Sequence, residues 1–276
     1  MTDDHPAYVL GSTDLEHHRL MLQGHILRPW TERFLRTAGL REGMSVLDLG
    51  SGVGDVSLLA GEIVGPRGRV LGVDRDPTAV EKARGRAAGA GLSDTVTFEV
   101  TALEDLAGSL SFDAVVGRFV LLYQRDPARI LRKFTRFLRP GGIVAFHEID
   151  LTNENPSWPP CPTWDDSYAL LAEVYRAHGT PPDFGRRLNR TFVDAGLPGP
   201  EIEAVGIVGA NAGSALFDWM AHSLRSLEPA LQEQGLALPS GLEPDEALAE
   251  ALREAVFEQG SQVMGPIQYG AWTRMP

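Results

Sequence analysis

A doubly wound α/β fold is the prediction for this 276-residue chain, and three observations carry it. Short β-branched runs alternate with helical stretches from Ser45 to Phe146. A glycine-rich turn joins the first run to the first helix, and an acid, Asp74, closes the second run. Strand–helix alternation builds βαβ units, in which a mostly parallel sheet is covered by helices on both faces.

The elements can be justified in chain order. Residues 1–40 read as helical. Thr13 and Glu16 stand at capping-box spacing, Leu15, Leu22 and Ile26 form a partial apolar stripe, Pro29 suits the first turn of a second helix, and Gly39 suits its stop. The acidic start and incomplete stripe mark residues 1–28 as a mobile lid. Strands are expected at Ser45–Leu49, Arg69–Val73, Thr95–Val100, Asp113–Val116 and Ile143–Phe146, with helices at Asp55–Val64, Pro77–Gly89 and Pro127–Leu138. After Asp150 a Pro-rich connector, residues 155–162, ends the alternation. Helical patterns follow at Trp164–His178, Phe184–Ala195 and Ser214–Gln259, the last interrupted near Gly235–Pro244; Glu201–Val208 and Ile267–Thr273 are strand candidates. This divides the chain into a helical lid (1–40), a core (41–150), cap helices (151–260) with one returning core strand near 201–208, and a last core strand (261–276).

Composition narrows the function. Apolar residues make up 43% and charged residues 22%, as in ordinary folded domains. No uncharged apolar run approaches the roughly 20 residues that span a bilayer. The acidic start lacks the apolar core of a secretory signal, so a cytoplasmic protein without a membrane span is expected. Cys161 is alone, which forbids an internal disulfide and an all-cysteine metal site. A net charge of −12 opposes nucleic-acid partners, which need phosphate neutralisation. Between Glu201 and Gly260 eleven acids face two bases, a pattern that fits a solvated helical face. Only Lys82 and Lys133 are lysines, a bias read as genome composition.

The most informative segment is Ser45-Val-Leu-Asp-Leu-Gly-Ser-Gly-Val-Gly-Asp55. Gly50 and Gly52 let the backbone turn tightly and approach a ligand, and Gly54 allows dense packing where a helix starts. A dinucleotide fingerprint would place its third glycine where Asp55 stands. Asp48, two residues before the first glycine, is poorly suited to a pyrophosphate but can order the loop and receive an ammonium group. Asp74, at the end of strand two, is placed to accept ribose hydroxyls.

Asp48-x-Gly50-x-Gly52-x-Gly54 with Asp74, Phe112-Asp-Ala-Val-Val-Gly-Arg118 and Leu138-Arg-Pro-Gly-Gly-Ile-Val144 together resemble class I S-adenosylmethionine-dependent methyltransferases. The resemblance covers residues 41–150 and is similar to the ubiquinone/menaquinone-biosynthesis and small-molecule subgroup. It implies a seven-stranded Rossmann-like sheet and S-adenosylmethionine as cofactor. It implies that Gly50, Ser51 and Gly52 line the methionine and ribose part, that Asp74 holds the ribose, and that Arg75 packs near the adenine. Ala102 and Leu103 fall where the family often has an aspartate and its neighbour; that aspartate is missing, which leaves adenine recognition to Thr101, backbone or water. Gly117 and Arg118 should lie beside the methionine, and Tyr8 and Gln23 fall in a segment resembling the family's cofactor-covering lid.

Methyl transfer from a sulfonium needs alignment and exclusion of water, and an acidic acceptor can also need a base. Phe146-His-Glu-Ile-Asp150 offers Glu148 first, then His147, with Asp150 as supporting acid; a salt-bridged strand end is the plainer alternative. No metal is expected. DNA bases are set aside for want of an Asn-Pro-Pro-aromatic motif, and arsenite because one cysteine is too few. The cap's aromatic and apolar content favours a small aromatic or apolar metabolite of natural-product or quinone type, methylated on O, N or C. An NAD-dependent oxidoreductase and a non-catalytic methyltransferase-like binding protein are the alternatives. A homodimer is compatible with the chain.

Overall fold

The computed structural model describes residues 13–108 and 111–276. Helix α1 (Asp14–Ala38) starts at Thr13, whose Oγ1 accepts from the Glu16 amide at 3.2 Å. Two helices were expected here, with Pro29 opening the second; the structure has one, with Pro29 inside it. Pro29 removes a single amide bond, and burial of Leu27, Trp30, Phe34 and Leu35 around it carries the helix through. Gly39 stops it at φ 104°, while the Leu40 amide reaches back to the Leu35 carbonyl.

The chain continues through β1 (Ser45–Leu49), α2 (Asp55–Val64), β2 (Arg69–Asp74), α3 (Pro77–Gly89), β3 (Val96–Val100) and β4 (Phe112–Arg118). A 3-10 turn (Leu121–Tyr123), α4 (Pro127–Thr135) and β5 (Leu138–Asp150) follow. Asp76 and Asp126 cap α3 and α4 by accepting from the Thr78 and Arg129 amides, each at 2.8 Å, with proline at the next position in both. Next come β6 (Ser157–Trp158), α5 (Pro162–Ala177), α6 (Leu188–Asp194), β7 (Glu201–Val205) and β8 (Val208–Gly209). The last elements are α7 (Leu216–Ser226), α8 (Glu228–Gln234), α9 (Leu248–Glu258), β9 (Gln262–Met264) and β10 (Ile267–Arg274).

The main sheet is seven-stranded and mostly parallel, in the order β3-β2-β1-β4-β5-β10-β7. The chain winds outward from β1 to β3 and then crosses back to place β4 on the other side of β1. Strand order therefore reverses between β1 and β4, and the carboxyl ends of these two strands define the switch point where open α/β sheets bind ligands. Leu47, Leu49, Val115 and Val116 are buried there with Val46, as central strands covered on both faces require.

Several boundaries differ from expectation. β5 begins at Leu138 and runs through Pro140-Gly141-Gly142, with a register shift against β4 between Phe112 and Ala114. The strand expected over Glu201–Val208 breaks into β7 and β8, and β8 joins β6 and β9 in a small antiparallel sheet that the sequence pattern did not announce. One compact unit comprises residues up to Ile26, Ile149–Gly185 and Ala204–Gln268; the other comprises Leu27–Glu148, Arg186–Glu203 and Tyr269–Pro276. The first packs Trp164 of α5 against Phe217 of α7 at 5.8 Å and ties the Trp164 Nε1 to the Met264 carbonyl. Helix α1 crosses from the first unit to the second between Ile26 and Leu27.

Candidate active site

The loop after β1 is built by positive φ: 61° at Gly50, 50° at Gly52 and 90° at Gly54. At Gly50 a Cβ would lie 2.7 Å from Val120 Cγ2, and at Gly54 it would lie 2.9 Å from the Phe98 ring and 3.1 Å from Ala83 Cβ. Glycine is thus required at the first position by the turn after β4 and at the third by helix packing.

Asp74 locks this loop. Its Oδ2 accepts from the Gly52 amide at 2.8 Å and its Oδ1 from the Asp76 amide at 2.9 Å. Burial holds its carboxyl above the ordinary range although both amides oppose the shift. Each oxygen retains a second lone pair, so the carboxyl can still receive two hydroxyls. Asp48 is buried beneath the loop; Ser57 donates its Oγ to Asp48 Oδ2 at 2.6 Å. Burial pushes Asp48 up to about 7, against the effects of Ser57 and the Arg118 cation. Asp48 Oδ1 and Ser51 Oγ are buried without a hydrogen-bond partner among the described residues.

Asp55, in the place of a dinucleotide-type third glycine, pairs with Arg86 at 2.7 Å and with Arg118 at 3.3 Å. Arg86 also donates to the Val53 carbonyl at 2.6 Å. Arg118, expected beside the methionine moiety, pairs with the Asp55 carboxylate and lies 5.9 Å from the centroid of the Phe119 ring. Arg75 is exposed, Ala102 and Leu103 are half-buried, and the Thr101 amide donates to the Asp74 carbonyl at 2.9 Å. Sequence reasoning missed the anchor of this last loop. Lys133 Nζ on α4 donates to the Leu103 and Glu104 carbonyls at 2.7 and 2.6 Å. Tyr8 lies outside the described residues, and Gln23, in the other compact unit, is buried and accepts from Arg19 Nη1 at 2.8 Å.

The three candidates for a base are not gathered into one acid–base set. The His147 ring is buried among Trp30, Phe119 and Phe34, with centroids at 4.3, 4.9 and 6.4 Å. Glu148 is fully buried; its Oε1 accepts from the Val120 and Leu121 amides at 3.1 and 2.8 Å, and burial pushes it up to about 8. Asp150 Oδ1 accepts from the Thr152 amide and hydroxyl, at 2.7 and 2.5 Å, closing a turn. At this strand end the partners of Glu148 Oε1 are backbone amides. Phe119, between Arg118 and this turn, has φ 57°, a left-handed conformation unusual for a bulky residue.

With this geometry in view, a family model described as a methyltransferase domain matches residues 40–181. The chain belongs to the class I S-adenosylmethionine-dependent methyltransferase family. It is 33% identical over 151 residues to the ubiquinone/menaquinone biosynthesis C-methyltransferase UbiE of Hahella chejuensis, covering 53% of this chain and 60% of that protein. The corresponding protein of a Shewanella species is 32% identical over 188 residues, covering 62% of this chain and 73% of the relative. The chain thus spans less than two thirds of the Hahella methyltransferase's length. Among solved structures, a methyltransferase-fold protein from Bacillus halodurans superposes with a TM-score of 0.57 at 16% identity, over 89% of this chain and 98% of that one. Membership in this family removes the oxidoreductase alternative, in keeping with the ion-paired Asp55. Among the described residues no helix is long and apolar enough to cross a membrane.

Two outcomes follow for this site. Lys133→Met removes the Nζ donor from the Leu103 and Glu104 carbonyls, so S-adenosylmethionine affinity measured by calorimetry should fall about three- to tenfold, the equivalent of roughly one hydrogen bond. Asp48 has the opposite sign to a salt-bridged acid. Its folded-state value lies above the unfolded value of 3.8, so the folded chain keeps a proton that the unfolded chain loses, and stability falls as pH rises from about 4 to about 7. Denaturant melts of wild type and Asp48→Asn should show the wild type losing at least about 1.4 kcal/mol relative to the variant over this window.

Proposed function

We propose that this methyltransferase moves a methyl group from S-adenosylmethionine to an O, N or C atom of a small aromatic or apolar metabolite of quinone or natural-product type. The observation that carries the reading is the Asp74 carboxyl, at the end of β2, bridging the Asp76 amide and the Gly52 amide of the loop after β1, inside a methyltransferase-family core. The residues fit the cofactor: the buried Asp48 Oδ1 and Ser51 Oγ, without a hydrogen-bond partner among the described residues, offer an acceptor and a donor. Bound there, S-adenosylmethionine supplies an electrophilic methyl group on a cationic sulfur.

The chain's own residues then bind and orient. Asp74 receives the ribose hydroxyls, and the amides and carbonyls of Gly50–Gly52 line the adjoining atoms. Thr101, Ala102, Leu103 and Arg75 border the adenine, with Lys133 fixing that loop. Asp48 and Asp74 favour the cation, since both are acids that burial disfavours as lone charges. Rate acceleration on this reading comes from alignment and exclusion of water rather than from proton removal, because Glu148 is engaged by two amides and held protonated near neutral pH. The quinone-type acceptor class is supported by the names of the Hahella and Shewanella relatives, which are C-methyltransferases.

A turnover screen with radiolabelled S-adenosylmethionine against phenols, indoles, amines and quinone precursors tests the reading. Label should pass to an aromatic or apolar acceptor; cofactor binding without transfer to any class would favour the non-catalytic alternative. Asp74→Ala should weaken cofactor binding ten- to a hundredfold, the equivalent of about 1–3 kcal/mol for unpaired hydroxyls. Unchanged affinity in calorimetry would sink the ribose assignment.

A further inference from the structure

The segment between Arg118 and Leu122 is held in an unusual way. Phe119 keeps a left-handed backbone without being glycine, a conformation that persists only where the surroundings over-determine it. Three consecutive amides of this segment are taken by two consecutive residues of β5. The Phe119 amide donates to the His147 carbonyl at 2.8 Å, and the Val120 and Leu121 amides share Glu148 Oε1. The latter two stand at the start of a 3-10 turn, where no carbonyl of the turn can serve them. The same Val120 presses on the cofactor loop, since its Cγ2 fills the space that a Cβ at Gly50 would need.

We propose that Glu148 is a positioning residue, holding the strand-four turn against the glycine loop so that Val120 and the left-handed Phe119 keep the cofactor side of the site in register. The inference rests on the methyltransferase reading only for its consequence; the brace itself is a property of the free protein. An oxygen that accepts two amides does this work whether or not the carboxyl is charged. Burial favours the protonated form, in which the second oxygen, Oε2, carries no charge that needs an ion partner. A neutral amide of the same shape should therefore substitute. That requirement separates a brace from a base, since an amide cannot take a proton from an acceptor.

The full chain, wild type and as Glu148→Gln and Glu148→Ala, can be compared in two ways. Hydrogen exchange without ligand reads the brace: the Val120 and Leu121 amides should be protected in wild type and in Glu148→Gln, and exchange at least tenfold faster in Glu148→Ala. Calorimetry with S-adenosylmethionine reads the consequence: the dissociation constant should stay within about threefold for Glu148→Gln and rise at least tenfold for Glu148→Ala. If Glu148→Ala does not fold, the Gln variant decides alone, with retained protection and affinity supporting the brace. Loss of either in Glu148→Gln, or wild-type protection in Glu148→Ala, overturns the proposal. Wild-type protein that shows the protected amides but does not bind S-adenosylmethionine would leave the brace standing and contradict the functional reading.

Discussion

The backbone at Gly50 and the side chain of Val120 occupy adjoining space with no room for a Cβ between them, and the arrangement of the site follows from that contact. It joins the carboxyl ends of β1 and β4, the two strands between which the sheet order reverses. A loop made of glycines in left-handed conformations has no rigidity of its own, because glycine gives up the most conformational freedom on ordering. Its order comes from acids placed around it. Asp74 takes the Gly52 amide, Asp55 ties Arg86 and Arg118 beneath the helix start, and Glu148 holds the turn that presses on Gly50.

Three buried acids around the site share an electrostatic feature. Asp48, Asp74 and Glu148 are all held above the ordinary carboxylate range, and burial is the first cause in each. Removing a carboxylate from water without a full ion partner favours the protonated form. Such a site gains from a cation, which favours the ionised carboxylates, whereas an anionic pyrophosphate would push the same acids further toward their protonated form. Near Asp48 the Arg118 guanidinium moderates the effect without cancelling it. This balance explains why a glycine loop of this type, with an acid two residues ahead of it, suits a sulfonium cofactor better than a dinucleotide.

The core was legible where signals are local. The alternation of runs put helices at Asp55–Val64 and Pro77–Gly89, where α2 and α3 fall, and at Pro127–Leu138, where α4 starts as expected but ends at Thr135. Signals failed where packing overrode them: Pro29 sits within α1, and Pro140-Gly141-Gly142 belong to β5 rather than to a turn. The small sheet of β6, β8 and β9 escaped because strands of two or three residues carry no readable alternation. At the site, Asp74 was legible from its place at a strand end. Glu148 was legible only as a charge, since nothing in Phe146-His-Glu-Ile-Asp150 reveals that two amides 27 and 28 residues earlier meet its carboxyl. Lys133 was passed over because its partners are carbonyls, which leave no mark in the sequence.

Proton counting during cofactor binding tests most directly whether the glycine loop and its buried acids receive the cation. Calorimetric titration of S-adenosylmethionine near pH 7, repeated in buffers of different ionisation enthalpy, gives the protons released per cofactor bound. A cation arriving beside Asp48, which titrates at about 7, should expel its proton, so wild type should release a measurable fraction of a proton more than Asp48→Asn. Equal proton release by the two proteins, with tight binding in both, would place the cation away from this loop and contradict the assignment.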